Sequence, residues 1–529
     1  MHMKVVLATL NAKYIHSSLA LRYLRQYCRE VCPDIAVKEY TINNEISHIL
    51  GDIYREQPDV LGLACYIWNI EATLSLAEQV KKVLPHTAIV LGGPEVSYDA
   101  EDIMRRNSFI DYIIQGEGEE VFAALLAALQ DGLPVPPLVP GLSYRSGDTI
   151  VKSAPVIVEN LDKLPAAYEI QDINALKDKI IYYESSRGCP YSCQYCLSSA
   201  TRGVRFFDLK RVLGELEIFV QANVRQVKFV DRTFNAKREH YRPILEYLAK
   251  MECRTNFHFE IAADLLDDEV LAFLRNVPPG RFQFEIGVQS TNPCTLRAVR
   301  RTNDWPKIVK TVKTLMGAGN IHIHLDLIAG LPYESYASFA RSFNNVYRLR
   351  PDMLQLGFLK LLKGSGIRLA AAEQEYLYSE RAPYEVLANR YLSYHDIRLL
   401  KIIEDLLNQT YNSGRFKYTL ELLVGEYRED AFRLFHEFAE FWDRRDLHQV
   451  AHGGKALYEY LYEFIMTVNP GIAVTAQEFL KFDALCAERG TVRPDSLPWN
   501  ADRWAEQVSA FWRDEARVRK YLPDFKFNT

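Results

Sequence analysis

Short apolar runs alternate with amphipathic stretches through the first quarter of the chain, and the alternation predicts repeated strand–helix units. Lys4-Val5-Val6-Leu7-Ala8-Thr9-Leu10 reads as a buried strand, followed by a helix from Ser17-Ser18 to Tyr27. Further strands fall at 35–40, 60–66, 88–91 and 112–114, with helices at 46–54, 70–83 and 119–129. Five βα units in succession predict a doubly wound parallel sheet over residues 1–132.

The run Leu133-Pro134-Val135-Pro136-Pro137-Leu138-Val139-Pro140 cannot continue a helix and marks a boundary. Residues 141–151 read as a hairpin turning at Ser146-Gly147-Asp148, inside a linker of 133–179. From Ile180 the alternation resumes, with strands at 180–185, 226–230, 256–261, 282–287, 321–328 and 353–358. Helices are expected at 209–221, 241–251, 267–275, 306–318 and 336–349. Six such units predict a TIM-type parallel barrel, complete or partial, over 180–365. Beyond Lys363-Gly364-Ser365-Gly366 the pattern turns helical, giving a C-terminal α-helical domain over 366–529. Phe432, Phe435, Phe438, Phe441 and Trp442, and Leu457, Leu461, Phe464 and Val468, recur at helical spacing and read as core.

Parallel sheets bind ligands beyond the carboxyl ends of their strands, so the residues there carry the candidate chemistry. In the first domain these are Asn11 and Ser17 after strand one, Tyr66 and Trp68 after strand three, Gly92-Gly93-Pro94-Glu95 after strand four, and Gly116-Glu117-Gly118-Glu119 after strand five. In the barrel they are Asp231, Glu260, Gln289-Ser290 and Gly330-Leu331-Pro332, at the ends of strands two to five. After the first barrel strand comes Arg187-Gly188-Cys189-Pro190-Tyr191-Ser192-Cys193-Gln194-Tyr195-Cys196. Three thiolates at C-x3-C-x2-C spacing can converge on one soft metal centre. Closed zinc and iron–sulfur sites take four protein ligands. Three local ones imply either a remote fourth, as in a zinc-stabilised module, or an open position.

Composition narrows the class. The 529 residues are 48% hydrophobic and 25% charged, with no apolar run of membrane-spanning length. A formal net charge of −5 supplies no general field for polyanions, which favours a small-molecule substrate over nucleic acid. The nine cysteines show no disulfide framework and fit a reducing cytoplasm. The amino end enters a strand at once, so neither a leader peptide nor a membrane anchor is expected.

Taken together, the cysteine loop and the glycine turns resemble the cobalamin-binding radical S-adenosylmethionine (radical SAM) enzymes, over about residues 1–365. The resemblance implies a flavodoxin-like, Rossmann-like domain holding cobalamin above a partial (β/α)6 radical SAM barrel. It implies that Cys189, Cys193 and Cys196 ligate three irons of a [4Fe–4S] cluster whose fourth iron binds S-adenosylmethionine. Tyr195, Asp231, Glu260, Gln289, Ser290, Gly330, Leu331 and Pro332 would then lie around S-adenosylmethionine, with Tyr195 and the Gly-Leu-Pro turn near the adenine. Asn11, Ser17, Tyr66, Trp68, Gly92 to Glu95 and Gly116 to Glu119 would line the cobalamin. The activity implied is reductive cleavage to a 5′-deoxyadenosyl radical and methylation of an unactivated carbon through methylcobalamin, with electrons from a flavodoxin or ferredoxin. Relatives of the same build carry out ring rearrangements or cyclisations without methyl transfer. The sequence lacks the Asp-x-His-x-x-Gly motif of the cobalamin mutases, and His16 does not fit its spacing, so no lower histidine ligand is implied.

Overall fold

The computed structural model describes residues 3–132, 139–200, 203–487, 493–494, 497–499 and 503–522; residues 133–138 of the proline-rich run lie outside them. The chain divides into two compact units, Met1–Leu400 and Lys401–Thr529.

The first unit holds two main sheets. Strands β1 (Val5–Asn11), β2 (Ile35–Thr41), β3 (Val60–Ala64), β4 (Ala88–Gly92) and β5 (Tyr112–Ile114) run parallel, and the hairpin β6 (Leu142–Ser146) and β7 (Thr149–Val151) adds two antiparallel strands at one edge. The order β2-β1-β3-β4-β5-β6-β7 is the doubly wound arrangement expected from the alternation. All seven residues of β1 and all five of β3 are buried, as strands covered by helices on both faces must be. The hairpin is not a free connector, because Tyr112 pairs with Tyr144 and its strands extend the sheet. One helix, Ala100–Arg106, was not expected; at seven residues its apolar pattern is too short to register.

The second sheet contains β8 (Ile180–Tyr183), then β11 (Gln226–Phe229), β12 (Asn256–Glu260), β13 (Phe282–Gln289), β14 (His322–Ala329) and β15 (Met353–Phe358), all parallel, in the order β15-β14-β13-β12-β11-β8. Between the first two, β9 (Ser186–Cys189) pairs antiparallel with β10 (Gly203–Phe206). The strand expected over 180–185 therefore ends at Tyr183. Asp231 draws the chain out of the sheet there, accepting from the Ser185 amide at 2.9 Å and from the Ser185 and Ser186 hydroxyls at 2.7 and 2.6 Å.

Helices Leu209–Gln221, Arg238–Lys250, Asp268–Leu274, Trp305–Ala318 and Tyr336–Tyr347 follow these strands. Asp208, Asp267, Asp304 and Ser335 cap four of them by accepting from first-turn amides, each worth roughly 1 kcal/mol. Phe229, Phe257, Phe259, Phe282 and Phe284 are fully buried and pack ring against ring, with Phe229 and Phe259 centroids 4.6 Å apart. Strand alternation sends Lys228, His258, Glu260 and Glu285 to the opposite side.

The helical pattern expected from Gly366 starts in earnest only at Tyr394. Two short antiparallel strands, β16 (Leu377–Tyr378) and β17 (Val386–Ala388), come first. The Tyr376 hydroxyl and the Asn389 amide both donate to the Gly330 carbonyl at 2.9 Å, which fixes this segment on the barrel.

The second unit is helical, built from Lys417–Glu426, Ala431–Arg444, Gly454–Val468 and Ala473–Ala487, with shorter helices Ala505–Arg513 and Glu515–Tyr521. Its aromatic stripes are core. Trp442 is fully buried, and Phe438 and Phe464 pack at a tilt with ring centroids 4.7 Å apart.

Candidate active site

The cysteine loop leaves β9 at the carboxyl end of the barrel. Two backbone bonds pin it, from the Gln194 amide to the Val299 carbonyl and from the Ile367 amide to the Gln194 carbonyl, both 2.9 Å. Cys189, Cys193 and Cys196 line one cavity together with Tyr195, Arg232, Thr233, Glu260, Glu285, Gln289, Arg301 and Asp326. None of the three is in a disulfide, and no fourth cysteine and no histidine lines that cavity among the described residues. Three convergent thiolates without a fourth soft donor fit a cluster with one open iron better than a closed zinc site.

Burial pushes the Cys189 thiol above its ordinary pKa, and the neighbouring Cys196 and Cys193 push the same way; a contact with the Thr233 hydroxyl at 3.6 Å opposes them. Arg301 supplies positive charge to this sulfur-rich wall. Its guanidinium reaches Cys193 Sγ at 3.8 Å and the Tyr195 hydroxyl at 3.2 Å, and also donates to the Gly287 carbonyl.

Of the residues expected around S-adenosylmethionine, Tyr195, Glu260 and Gln289 line this cavity and Asp231, Ser290, Gly330, Leu331 and Pro332 do not. Asp231 is fully buried behind the loop, and burial pushes its carboxyl up to about 6 against the hydrogen bonds from Ser186 and Ser185. The Ser290 hydroxyl donates to Glu334 at 2.7 Å, while Leu331 and Pro332 are buried. Glu260 is pushed up to about 7 by burial and by Glu285, with Arg232 and Lys228 opposing.

The loops at the carboxyl ends of the first sheet meet the barrel on this side. Arg187, two residues before the first cysteine, bonds Glu184 at 2.8 Å, Glu119 at 2.6 Å and Glu117 at 3.3 Å; Arg205 pairs with Glu117 at 2.5 Å. Glu95 is buried and accepts from the Tyr384 hydroxyl at 2.7 Å. Lys363 bonds Asp99 at 2.9 Å, and the Ser17 hydroxyl donates to the Ile180 carbonyl at 2.8 Å. Tyr66 lies within electrostatic reach of Arg232, and Tyr98 of Cys196.

Several polar groups expected to face a cobalamin are thus engaged with protein, and Asn11 donates to the His16 carbonyl. The glycine turns are also filled. A Cβ on Gly93 would fall 2.5 Å from the Cys65 carbonyl, and one on Gly116 would fall 2.2 Å from that of Val156. An aromatic platform remains at the topological switch between β1 and β3: Tyr66 and Trp68 stack at 4.5 Å, and the Trp68 indole is fixed by the Leu10 carbonyl. With Tyr14, Ile15 and Tyr98 also exposed there, this surface fits the flat face of a macrocycle.

Arg187, Arg205, Arg232 and Arg301 were not among the expected site residues. No spacing singles them out, since arginines before and after a metal loop read as ordinary surface charge. The signal for the polar barrel face was present: His258/Glu260, Glu285 and His324/Asp326 alternate with apolar residues in strands that a fully packed barrel would make apolar throughout.

The B12 binding domain model matches residues 4–126 and the Radical SAM superfamily model matches residues 183–346. The chain carries a B12 binding domain and a radical SAM domain. A third model, described as a protein of unknown function (DUF4080), matches residues 372–528. The chain is 31% identical over 309 residues to 2-(S-pantetheinyl)-carbapenam-3-carboxylate methyltransferase of Streptantibioticus cattleyicolor, covering 53% of this chain and 44% of the relative. It is 29% identical to the cobalamin-dependent radical SAM methyltransferase TokK of Streptomyces tokunonensis, covering 54% and 44%. The chain therefore matches less than half the length of either relative. Its fold is that of the cobalamin-dependent S-adenosylmethionine radical enzyme OxsB, with a TM-score of 0.65 over 97% of this chain and 84% of that one, at 15% identity. Among the described residues, no helix is long and apolar enough to cross a membrane.

Proposed function

We propose that the protein reductively cleaves S-adenosylmethionine at a [4Fe–4S] cluster held by Cys189, Cys193 and Cys196, and methylates an unactivated carbon of a small molecule with cobalamin as the methyl carrier. The observation carrying this reading is that the three cysteines share one cavity with Tyr195, Glu260, Gln289 and Arg301 while the stacked Tyr66–Trp68 platform stands at the neighbouring sheet's carboxyl ends. When bound, the cluster supplies the electron for sulfonium cleavage, and cobalamin carries the methyl group between S-adenosylmethionine and substrate.

The chain's own residues hold and shield. Arg301 fixes the Tyr195 ring through its hydroxyl and sets a positive charge beside Cys193. Glu260 and Gln289 present oxygen and nitrogen atoms to the amino, carboxylate or ribose groups of S-adenosylmethionine. Arg187 ties the cysteine loop to Glu119 and Glu117 and so keeps the two sheets' carboxyl ends in register. Holding both reacting groups in a walled cavity excludes water and stray hydrogen donors. The electron comes from a flavodoxin or ferredoxin in the cytoplasm.

A second reading, radical rearrangement or cyclisation without methyl transfer, draws on the glycine turns filled by Cys65 and Val156 and on the engaged Glu95, Glu117 and Glu119. Cobalamin retained through gel filtration after anaerobic loading, at about one per chain, supports the first reading; no retention replaces it with the second.

A further inference from the structure

Below the cysteine loop, the inner face of the barrel is polar where a packed parallel barrel carries branched apolar side chains. Lys228, His258, Glu285, His324 and Asp326 project there, while Phe257, Phe259, Phe284, Leu325 and Leu327 fill the other face and are fully buried. Within this layer Glu285, His324 and Asp326 each offer one ligand atom, and the three atoms lie within 4.8 Å of one another. Register explains the grouping. Glu285 pairs with His324 across β13 and β14, and Asp326 follows two residues later on the same face.

The way these groups meet is informative. His324 Nε2 lies 2.8 Å from Asp326 Oδ1, an ion-pair distance, both atoms are buried, and neither makes a well-aligned hydrogen bond. The ring nitrogen and the carboxylate oxygen sit side by side instead of one donating to the other. Neighbouring ligands of a single cation are disposed in this way: donor atoms about 2.1 Å from a metal and at right angles are separated by about 3.0 Å. The imidazole is only 5% exposed, so water does not take the place of the missing partner.

We propose that Glu285, His324 and Asp326 form a divalent-metal site in the floor of the cavity, separate from the cysteine loop, with open coordination positions toward the cavity that Glu285 and Asp326 line. One imidazole with two carboxylates suits a first-row ion such as Mn2+, Fe2+ or Zn2+. Lys228 Nζ, 3.0 Å from Glu285 Oε2, shares that carboxylate and moderates the affinity; His258 Nε2 also lies 3.0 Å from Oε2. The site does not depend on the cluster or on methyl transfer.

Mn2+ is titrated anaerobically into the cluster-reconstituted full chain and the free-ion EPR signal is followed, with Zn2+ as competitor. The wild type is expected to bind one Mn2+ per chain, displaced by Zn2+, and Asp326→Asn and His324→Gln to weaken binding at least tenfold. Lys228→Met is expected to tighten it, a gain that misfolding cannot produce. Cys189→Ala is expected to leave it unchanged. Absence of binding by the wild type, undiminished binding by Asp326→Asn, no tightening in Lys228→Met, or loss in Cys189→Ala would each overturn the site.

Discussion

Glu260→Gln makes a demanding test of the cavity's electrostatics. The Glu260 carboxyl sits among Glu285, Asp326, Arg232 and Lys228, and burial with Glu285 pushes it from 4.5 up to about 7. A folded-state pKa above the unfolded one means that the folded protein binds the proton more tightly. Stability from this group is therefore greatest below about pH 4.5 and falls as pH rises through about 7. The difference between 4.5 and about 7, at roughly 1.4 kcal/mol per pH unit, corresponds to about 3 kcal/mol of destabilisation at alkaline pH. Partial solvent access from the cavity makes that an upper bound. Glutamine keeps the shape and removes the charge, so the metal-free variant gains up to about 3 kcal/mol over the wild type at about pH 8 relative to about pH 5. Urea unfolding of both proteins at the two pH values measures this, because titrations common to both cancel in the difference. The same variant weakens S-adenosylmethionine binding, a stability gain at the expense of function. An advantage that stays flat or shrinks with rising pH would refute the placement of Glu260 among uncompensated negative charge.

Other substitutions probe the remaining parts of the site. Arg187→Ala strips the partner from Glu119 and Glu184, while Glu117 keeps Arg205; with Arg187 13%, Glu119 7% and Glu184 9% exposed, it should cost about 3–5 kcal/mol in urea unfolding, and adding Glu184→Gln and Glu119→Gln should recover most of that. Arg301→Met should leave iron content intact but shift the cluster's reduction potential negative in an anaerobic redox titration, since a cation beside Cys193 favours the more negatively charged reduced state. Cys189→Ala should abolish cluster assembly, read as visible absorbance and iron content, while Cys294→Ala, exposed and outside the cavity, should assemble normally.

The two parallel sheets were legible because continuous apolar strands and amphipathic helices alternate strongly enough to survive short loops; Ala100–Arg106 was missed because seven residues are too few for its pattern to register, and the β9–β10 pair because it is set by tertiary contacts rather than by periodicity. The exit of the chain at Ser185, for example, is decided by Asp231, 46 residues away in sequence. Within the site, the cysteine loop is readable because its ligands are local. The acidic turns are a different case. Glu95, Glu117 and Glu119 follow strands as ligand-facing residues do, but what they touch depends on Tyr384, Arg205 and Arg187, and no local pattern encodes that pairing. The helical C-terminus expected beyond Gly366 is present from Tyr394, but the segment before it departs from helix for the same reason, since the Gly330 carbonyl anchors β16 and β17 there through Tyr376 and Asn389.

The central claim is tested most directly by reconstituting the full chain anaerobically with iron and sulfide, adding S-adenosylmethionine and a low-potential reductant, and quantifying 5′-deoxyadenosine. About four irons per chain and reductant-dependent release of 5′-deoxyadenosine, absent in Cys189→Ala, are predicted. Zinc in place of iron, or a fully assembled cluster that releases no 5′-deoxyadenosine, would contradict the account.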